Sequence, residues 1–190
     1  MRMDFFGDSY DIVKKFLMQS IEPNSEWITL PMFTHEVSSK DIKSIEQFLH
    51  VRVISKINFA TTIDRDKYFA DSGNHRNIFI DPDIGISINK HYGKKSINYI
   101  FGSELVSLCE QNPKTRLLVF DQSIQRGNVD QVNQSVERKL TYFREQNISC
   151  FAYESHACFI ILSQSSGVCK QAYDNLLNTN LPSSRLTKFN

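Results

Sequence analysis

The chain has 190 residues, of which 41% are hydrophobic and 23% are charged, and its formal net charge is +1. This composition favours a well-filled core over a disordered chain, and the near-zero charge gives no indication that nucleic acid binds through bulk charge. The length suits a single domain over residues 1–190. Because no apolar run reaches the roughly 20 residues of a membrane span or has the character of a signal peptide, we expect a cytoplasmic protein with no membrane partner.

Helix and strand signals alternate along the chain. Apolar residues at helical spacing predict helices over residues 8–19, 38–49, 103–109 (with Ser103 as the cap), 128–146 and 167–177. Short apolar runs predict strands over residues 27–30, 51–54, 77–80, 116–120, 148–153 and 157–162. Residues 61–76 give no clear prediction, and the polar residues 86–98 are interpreted as a loop. Four cysteines without metal-site spacing are expected to be buried and reduced.

The alternation favours an α/β fold, a Rossmann-like three-layer sandwich with a mostly parallel sheet. Only Glu154, Ser155 and His156 separate the last two strands. These strands should therefore form a C-terminal antiparallel hairpin that adds an antiparallel strand at one edge of the sheet. Ligands of such sheets bind beyond the carboxyl ends of the strands, which is where Asp81, Asp83 and Asp121 are expected.

The run Asp81-Pro82-Asp83 follows a strand that reads as buried on both faces. Two carboxylates at this spacing can share a cation, or one can take a proton while the other keeps its charge. A plain turn is the structural alternative, since Asp and Pro are common turn residues. The run is the most informative feature of the sequence for chemistry.

A second motif lies at the start of the first helix, where Gly7 and Asp8 precede Asp11 and Lys14. Asp8 can accept hydrogen bonds from backbone N–H groups at the helix start. Asp11 and Lys14 lie one helical turn apart and can form an ion pair. By itself this pattern indicates a well-formed helix start.

Together the two motifs resemble a family, the bacterial methyltransferases that modify an adenine amine in large-subunit ribosomal RNA. That family begins with Gly-Asn-x-x-Asp-Val-Leu-Lys and carries Asp-Pro-Pro-Tyr at a strand end. Gly7, Asp11 and Lys14 match the first motif, and Asp81-Pro82 match the second. The whole chain also resembles a broad group of uncharacterised bacterial and phage proteins with a Gly-Asp-x-x-Asp start and an Asp-Pro-Asp-x-Gly-Leu strand end.

The resemblance implies a Rossmann-like sheet closed by an antiparallel hairpin, S-adenosylmethionine as cofactor and nucleic acid as partner. It implies that Asp81 accepts or orients the target amine, and that Gly7, Asp8, Lys14 and Thr34 line the cofactor or substrate crevice. The family has a Gly-rich turn after the first strand. This chain instead has Leu30-Pro31-Met32-Phe33-Thr34, without glycine.

Two alternatives remain open. A metal-dependent nuclease would hold Mg²⁺ with Asp81 and Asp83, complete the site with Asp121, and contact phosphates through Lys90, Lys94 and Lys95. A solvated loop is the structural alternative for these lysines. The third hypothesis is a non-catalytic binding or interaction protein on the same scaffold, which the bulky turn favours over the methyltransferase.

Overall fold

The structure is a computed structural model. It describes residues 3, 6–55, 59, 65–70, 72, 75–89, 94–124 and 129–189, with backbone only for 94, 95 and 129. The helices are α1 (Ser9–Ile21), α2 (Ser39–Leu49), α3 (Arg65–Ala70), α4 (Gly102–Gln111), α5 (Val129–Glu145) and α6 (Ser166–Leu177). The strands are β1 (Trp27–Leu30), β2 (Val51–Val53), β3 (Asn77–Ile80), β4 (Gly85–Ser87), β5 (Tyr99–Phe101), β6 (Arg116–Asp121), β7 (Ser149–Glu154) and β8 (Cys158–Ser163).

The main sheet has six strands in the order β2-β1-β3-β6-β8-β7. Neighbouring strands from β2 to β6 run parallel, whereas β8 runs antiparallel to both β6 and β7. The predicted C-terminal hairpin is therefore confirmed. Its antiparallel strand, however, lies one place inside the edge, and β7 forms the edge itself.

Helices cover both faces of this sheet. One core gathers side chains of α3, α4 and α5, among them Tyr68, Leu105 and Leu140, and the other gathers those of α1, α2 and α6, among them Leu17 and Ile45. The strands β1, β3, β6 and β8 are buried along their whole length. Apolar runs without alternation are typical of strands that are covered on both sides. The predicted mostly parallel α/β sheet flanked by helices is thus confirmed.

The loop prediction for residues 86–98 is wrong at both ends. β4 and β5 pair in parallel as a small second sheet, and Ile86 and Ile100 are buried in the core. A 3₁₀ helix, Lys94–Asn98, precedes β5. The buried side chains of Ile86 and Ile100 pack this otherwise polar part of the chain against the core.

Ser103 does not cap α4. It lies inside the helix and is exposed, while the helix begins after Phe101. The backbone N–H of Phe101 donates to Glu104 Oε2 at 2.8 Å. A glutamate at the third helical position supplies half of a capping box without any hydroxyl residue at the start.

The residues after α6 cover part of the outer edge of β7. Thr187 N donates to Ala152 O at 2.9 Å, and Ala152 N donates to Thr187 Oγ1 at 2.8 Å. Leu186 forms an isolated antiparallel bridge with Tyr153. Among the helices that the structure describes, none is long and apolar enough to cross a membrane.

Candidate functional site

The two motifs of the sequence meet in one buried ion cluster. Lys14 Nζ lies 2.8 Å from Asp11 Oδ1 and 3.0 Å from Asp81 Oδ2. Asp11 and Lys14 are three residues apart on α1, whereas Asp81 directly follows β3 and lies 67 residues away from Lys14. The cluster therefore attaches the first helix to the carboxyl end of a central strand.

Local hydrogen bonds at the start of α1 place Asp11 for this role. Asp8 is the N-cap, and its Oδ1 accepts the backbone N–H groups of Tyr10 at 2.8 Å and Asp11 at 3.1 Å. Gly7 N donates to Asp11 Oδ2 at 2.8 Å. Gly7 and Asp8 thus complete the helix start, and the second oxygen of Asp11 remains for Lys14.

The charges of the cluster hold Lys14 in its protonated form. Burial by itself lowers the pKa of the Lys14 ammonium, but Asp81 and Asp11 outweigh burial, and the pKa rises above its usual value. The ammonium also lies 4.6 Å from the ring centre of Phe120.

The two acids of the Asp81-Pro82-Asp83 run differ in access. Asp81 is 1% exposed, so its carboxylate is enclosed and does not open on a cleft as the sequence led us to expect. Asp83 is partly exposed and has no hydrogen bond or ion pair within the described part of the chain. Of the two, Asp83 is the carboxylate that a ligand can reach.

Asp121 faces a different set of partners. Its Oδ2 accepts from Lys139 Nζ at 2.5 Å, and its Oδ1 accepts from Ile86 N at 3.1 Å and Ser123 N at 3.0 Å. A Cβ at Gly85, which has φ +139°, would overlap Asp121 Oδ1 and lie 3.0 Å from the Asp121 Cα. Asp121 therefore joins β4 and α5 to the main sheet.

The turn after β1 does not fit S-adenosylmethionine as a Gly-rich turn would. Met32 and Phe33 are fully buried, and Met32 has φ +43°. Met32 N donates to Tyr68 Oη at 3.1 Å, so this backbone donor is already used. Thr34 follows the turn, is partly buried, and makes no hydrogen bond with any other described residue. The assignment of Gly7, Asp8, Lys14 and Thr34 to a cofactor crevice stays a prediction.

The described residues do not complete the predicted metal site. Among the described residues, no group of three His, Cys, Asp or Glu side chains could hold a metal ion. Asp81 and Asp121 each face a lysine ammonium instead. An ammonium in contact with a carboxylate repels a second cation, which disfavours Mg²⁺ there.

The predicted nucleic-acid contacts are mostly outside the described residues. Lys90 lies outside them entirely, and Lys94 and Lys95 are described only by their backbone in the 3₁₀ helix. Their role as phosphate contacts stays a prediction.

The sequence offers His156 only as a lesser candidate for ligand contact and does not indicate the group to which it belongs at the carboxyl ends of the strands. The Tyr10 ring lies 5.7 Å from Phe120 and 4.7 Å from His156. His156, in the β7–β8 turn, lines a pocket of about 130 Å³ beside Asp121. Lys139 was missed too, since a lysine within a long helix rich in polar residues gives no sign that it is buried.

The geometry of this end of the sheet is therefore a closed ion cluster, the partly exposed carboxylate of Asp83 and a row of aromatic rings. Comparison of the chain with models of protein families, with curated proteins and with solved structures found no match.

Proposed function

We propose that this chain is a degenerate methyltransferase-like protein that binds nucleic acid without transferring a methyl group. The observation that carries the proposal is the 3.0 Å contact between Lys14 and Asp81. It joins the two motifs on which the resemblance to adenine methyltransferases depends. A sheet of Rossmann-like type with a closing antiparallel hairpin agrees with that resemblance.

Two features favour binding over catalysis. Asp81 is 1% exposed and its Oδ2 is paired with Lys14, so a substrate amine cannot reach this carboxylate in the described conformation. The turn after β1 offers Met32 and Phe33 where a cofactor needs close backbone approach. We assign to Asp83 the contact with the amine edge of a base, because its carboxylate is accessible and can accept two N–H groups.

The nuclease alternative has less support. It needs Asp81 and Asp83 to hold a divalent cation and Asp121 to complete the site, and Asp81 and Asp121 each already neutralise a buried lysine. A non-catalytic protein that binds another kind of partner remains as the outcome of a failed nucleic-acid test.

The test compares Asp83→Asn with Glu110→Gln, an exposed acid on α4. Affinity for short single-stranded oligonucleotides of adenine is measured by fluorescence anisotropy. Loss of a negative charge ordinarily strengthens binding to nucleic acid, and we expect Glu110→Gln to leave the affinity unchanged or slightly raised. Because an ionised acceptor is lost, Asp83→Asn should weaken binding by roughly tenfold or more.

Calorimetry with S-adenosylmethionine completes the test, and we expect no binding. Micromolar binding of the cofactor would overturn the assignment as a non-catalytic protein. If Asp83→Asn binds adenine oligonucleotides as tightly as the unmodified protein does, the role of Asp83 is wrong. If the unmodified protein binds no oligonucleotide, the proposed function itself is wrong.

A further inference from the structure

A polar pocket lies away from the Lys14 cluster, between α5 and the small β4–β5 sheet. Its volume is about 200 Å³, and its lining includes Ser135, Arg138 and Lys139 of α5 together with Ser123. Ser135, Arg138 and Lys139 lie three and four residues apart, so they share one face of the helix. Among the described lining residues there are two cationic side chains and no carboxylate.

Lys139 is the buried cation of this pocket. The residue is only 7% exposed, and its ammonium donates to Asp121 Oδ2 at 2.5 Å and to Ser123 Oγ at 2.6 Å. An ammonium has three N–H groups, and these two acceptors use two of them. The third N–H finds no acceptor in the described part of the chain.

Arg138 supplies the uncompensated charge. Asp121 neutralises Lys139, but the exposed Arg138 has no hydrogen bond or ion pair with any other residue that the structure describes. Arginine presents its N–H groups in a planar fork that fits two oxygens of a phosphate. The hydroxyl group of Ser135 adds a neutral polar group to the same pocket. The Ser123 hydroxyl is already engaged, because it accepts from Lys139 and lies 2.6 Å from Asp121 Oδ1.

We propose that this pocket binds a phosphate group of the nucleic acid chain, through Arg138 and the remaining N–H of Lys139. A cationic, hydroxyl-lined pocket of this size accommodates a tetrahedral oxyanion, and it is too polar for an apolar ligand. The inference rests on the proposed function, since it names the backbone contact that would accompany the base contact at Asp83.

The first arm of the test uses inorganic phosphate, which has no base and does not depend on Asp83. Binding is followed by nuclear magnetic resonance titration of the intact protein. We expect Arg138→Gln to weaken phosphate binding at least about tenfold, the loss of one charge-assisted contact. Lys43→Gln is the matched control, because Lys43 is an exposed cation on α2, which packs on the other face of the sheet.

Lys139 itself is not substituted, because its loss would leave Asp121 buried without a counter-charge. The site is overturned if the unmodified protein does not bind phosphate, or if Arg138→Gln and Lys43→Gln bind it equally well. Phosphate binding that Arg138→Gln removes supports the site even where the Asp83 test fails.

The second arm asks whether the phosphate belongs to a nucleic acid. The affinity for a short single-stranded oligonucleotide is measured over a range of salt concentrations. Since one phosphate contact contributes roughly 0.7 to the slope of log K against log salt for single strands, Arg138→Gln should reduce the slope by about that amount. An unchanged slope would mean that the nucleic acid backbone does not occupy this pocket, and this part of the inference would be wrong.

Discussion

The ammonium of Lys14 lies between two carboxylates where water has little access, and each of the three residues depends on the other two. Removing one member of a buried ion pair leaves an uncompensated charge, which costs far more than the pair contributes when complete. The cluster therefore stabilises the position of α1 on the sheet only when all three residues are present.

The substitution Lys14→Met tests this dependence. It leaves Asp11 and Asp81 buried with like charges, and we expect the free energy of unfolding to fall by roughly 3–5 kcal/mol. Chemical denaturation measures the change. The control is Lys15→Met at the next position, where the ammonium is partly exposed and lies 5.2 Å from the Phe48 ring. That change should cost less than about 1 kcal/mol, and equal losses for both variants would contradict the role of the cluster.

At the scale of single elements, the glycines in the first turns of α4 and α6 are in opposite situations. A Cβ at Gly102 would lie 2.5 Å from Tyr142 Cε1, whereas a Cβ at Gly167 would meet nothing closer than Ser165 Oγ at 3.9 Å. The same substitution should therefore have opposite effects in the two helices.

We expect Gly167→Ala to stabilise the protein by about 0.5–1 kcal/mol, because alanine loses less backbone freedom than glycine on entering a helix. Gly102→Ala should destabilise it by about 1–3 kcal/mol, since the Tyr142 ring must shift. Thermal denaturation of both variants checks the signs. The double substitution Gly102→Ala, Tyr142→Leu should recover part of the lost stability. If it recovers none, the contact with Tyr142 is not the cause of the destabilisation.

Most elements of the main sheet could be predicted from the sequence because each has a strong local signal. The strand Asn77–Ile80 has three consecutive large apolar residues and is followed by Pro82, and the structure confirms it as a central strand. β4 and β5 were not predicted, because Gly85–Ser87 has a single large apolar side chain and Tyr99–Phe101 is a short run directly before a helix. The position of β4 also depends on a long-range hydrogen bond, from Ile86 N to Asp121 Oδ1 at the end of β6.

The candidate site was predictable only in part, and for a similar reason. The motifs identified Lys14 and Asp81 separately, and strand order indicated that Asp81 and Asp121 would share one end of the sheet. The sequence did not reveal that Asp81 is enclosed or that Asp121 binds Lys139, since both facts depend on how helices pack over the strand ends. Side-chain access is a tertiary property that residue spacing does not encode.

At the scale of the whole molecule, the four cysteines share one property. Cys109, Cys150, Cys158 and Cys169 are all free and buried, as expected. Burial raises the pKa of Cys109 to about 12 and that of Cys150 to about 11, above the 9.0 of an exposed thiol. The folded protein therefore keeps these thiols protonated at a pH where the unfolded chain ionises them.

Stability should consequently fall at alkaline pH. The stabilising contribution of the two protonated thiols to the free energy of unfolding is fully present below pH 9.0. It is lost as the pH rises through their pKa values in the folded protein, about 11 for Cys150 and about 12 for Cys109. Urea denaturation at pH 8, 9 and 10 measures the loss, which should approach about 1.4 kcal/mol per pH unit for each thiol. Cys109→Ala should make the dependence of stability on pH less steep by the share of one thiol. A stability that does not change with pH in the unmodified protein would contradict the prediction.

The tail beyond α6 has a consequence for how copies of this chain behave in a crowded solution. The rim of a sheet is a template for strands of other molecules when its amide and carbonyl groups stand open. Here Leu186 and Thr187 occupy part of that rim beside β7, and the opposite rim is β2, only three residues long. Both margins of the sheet therefore expose few unpaired backbone groups with which a strand of another molecule could pair, and this disfavours aggregation.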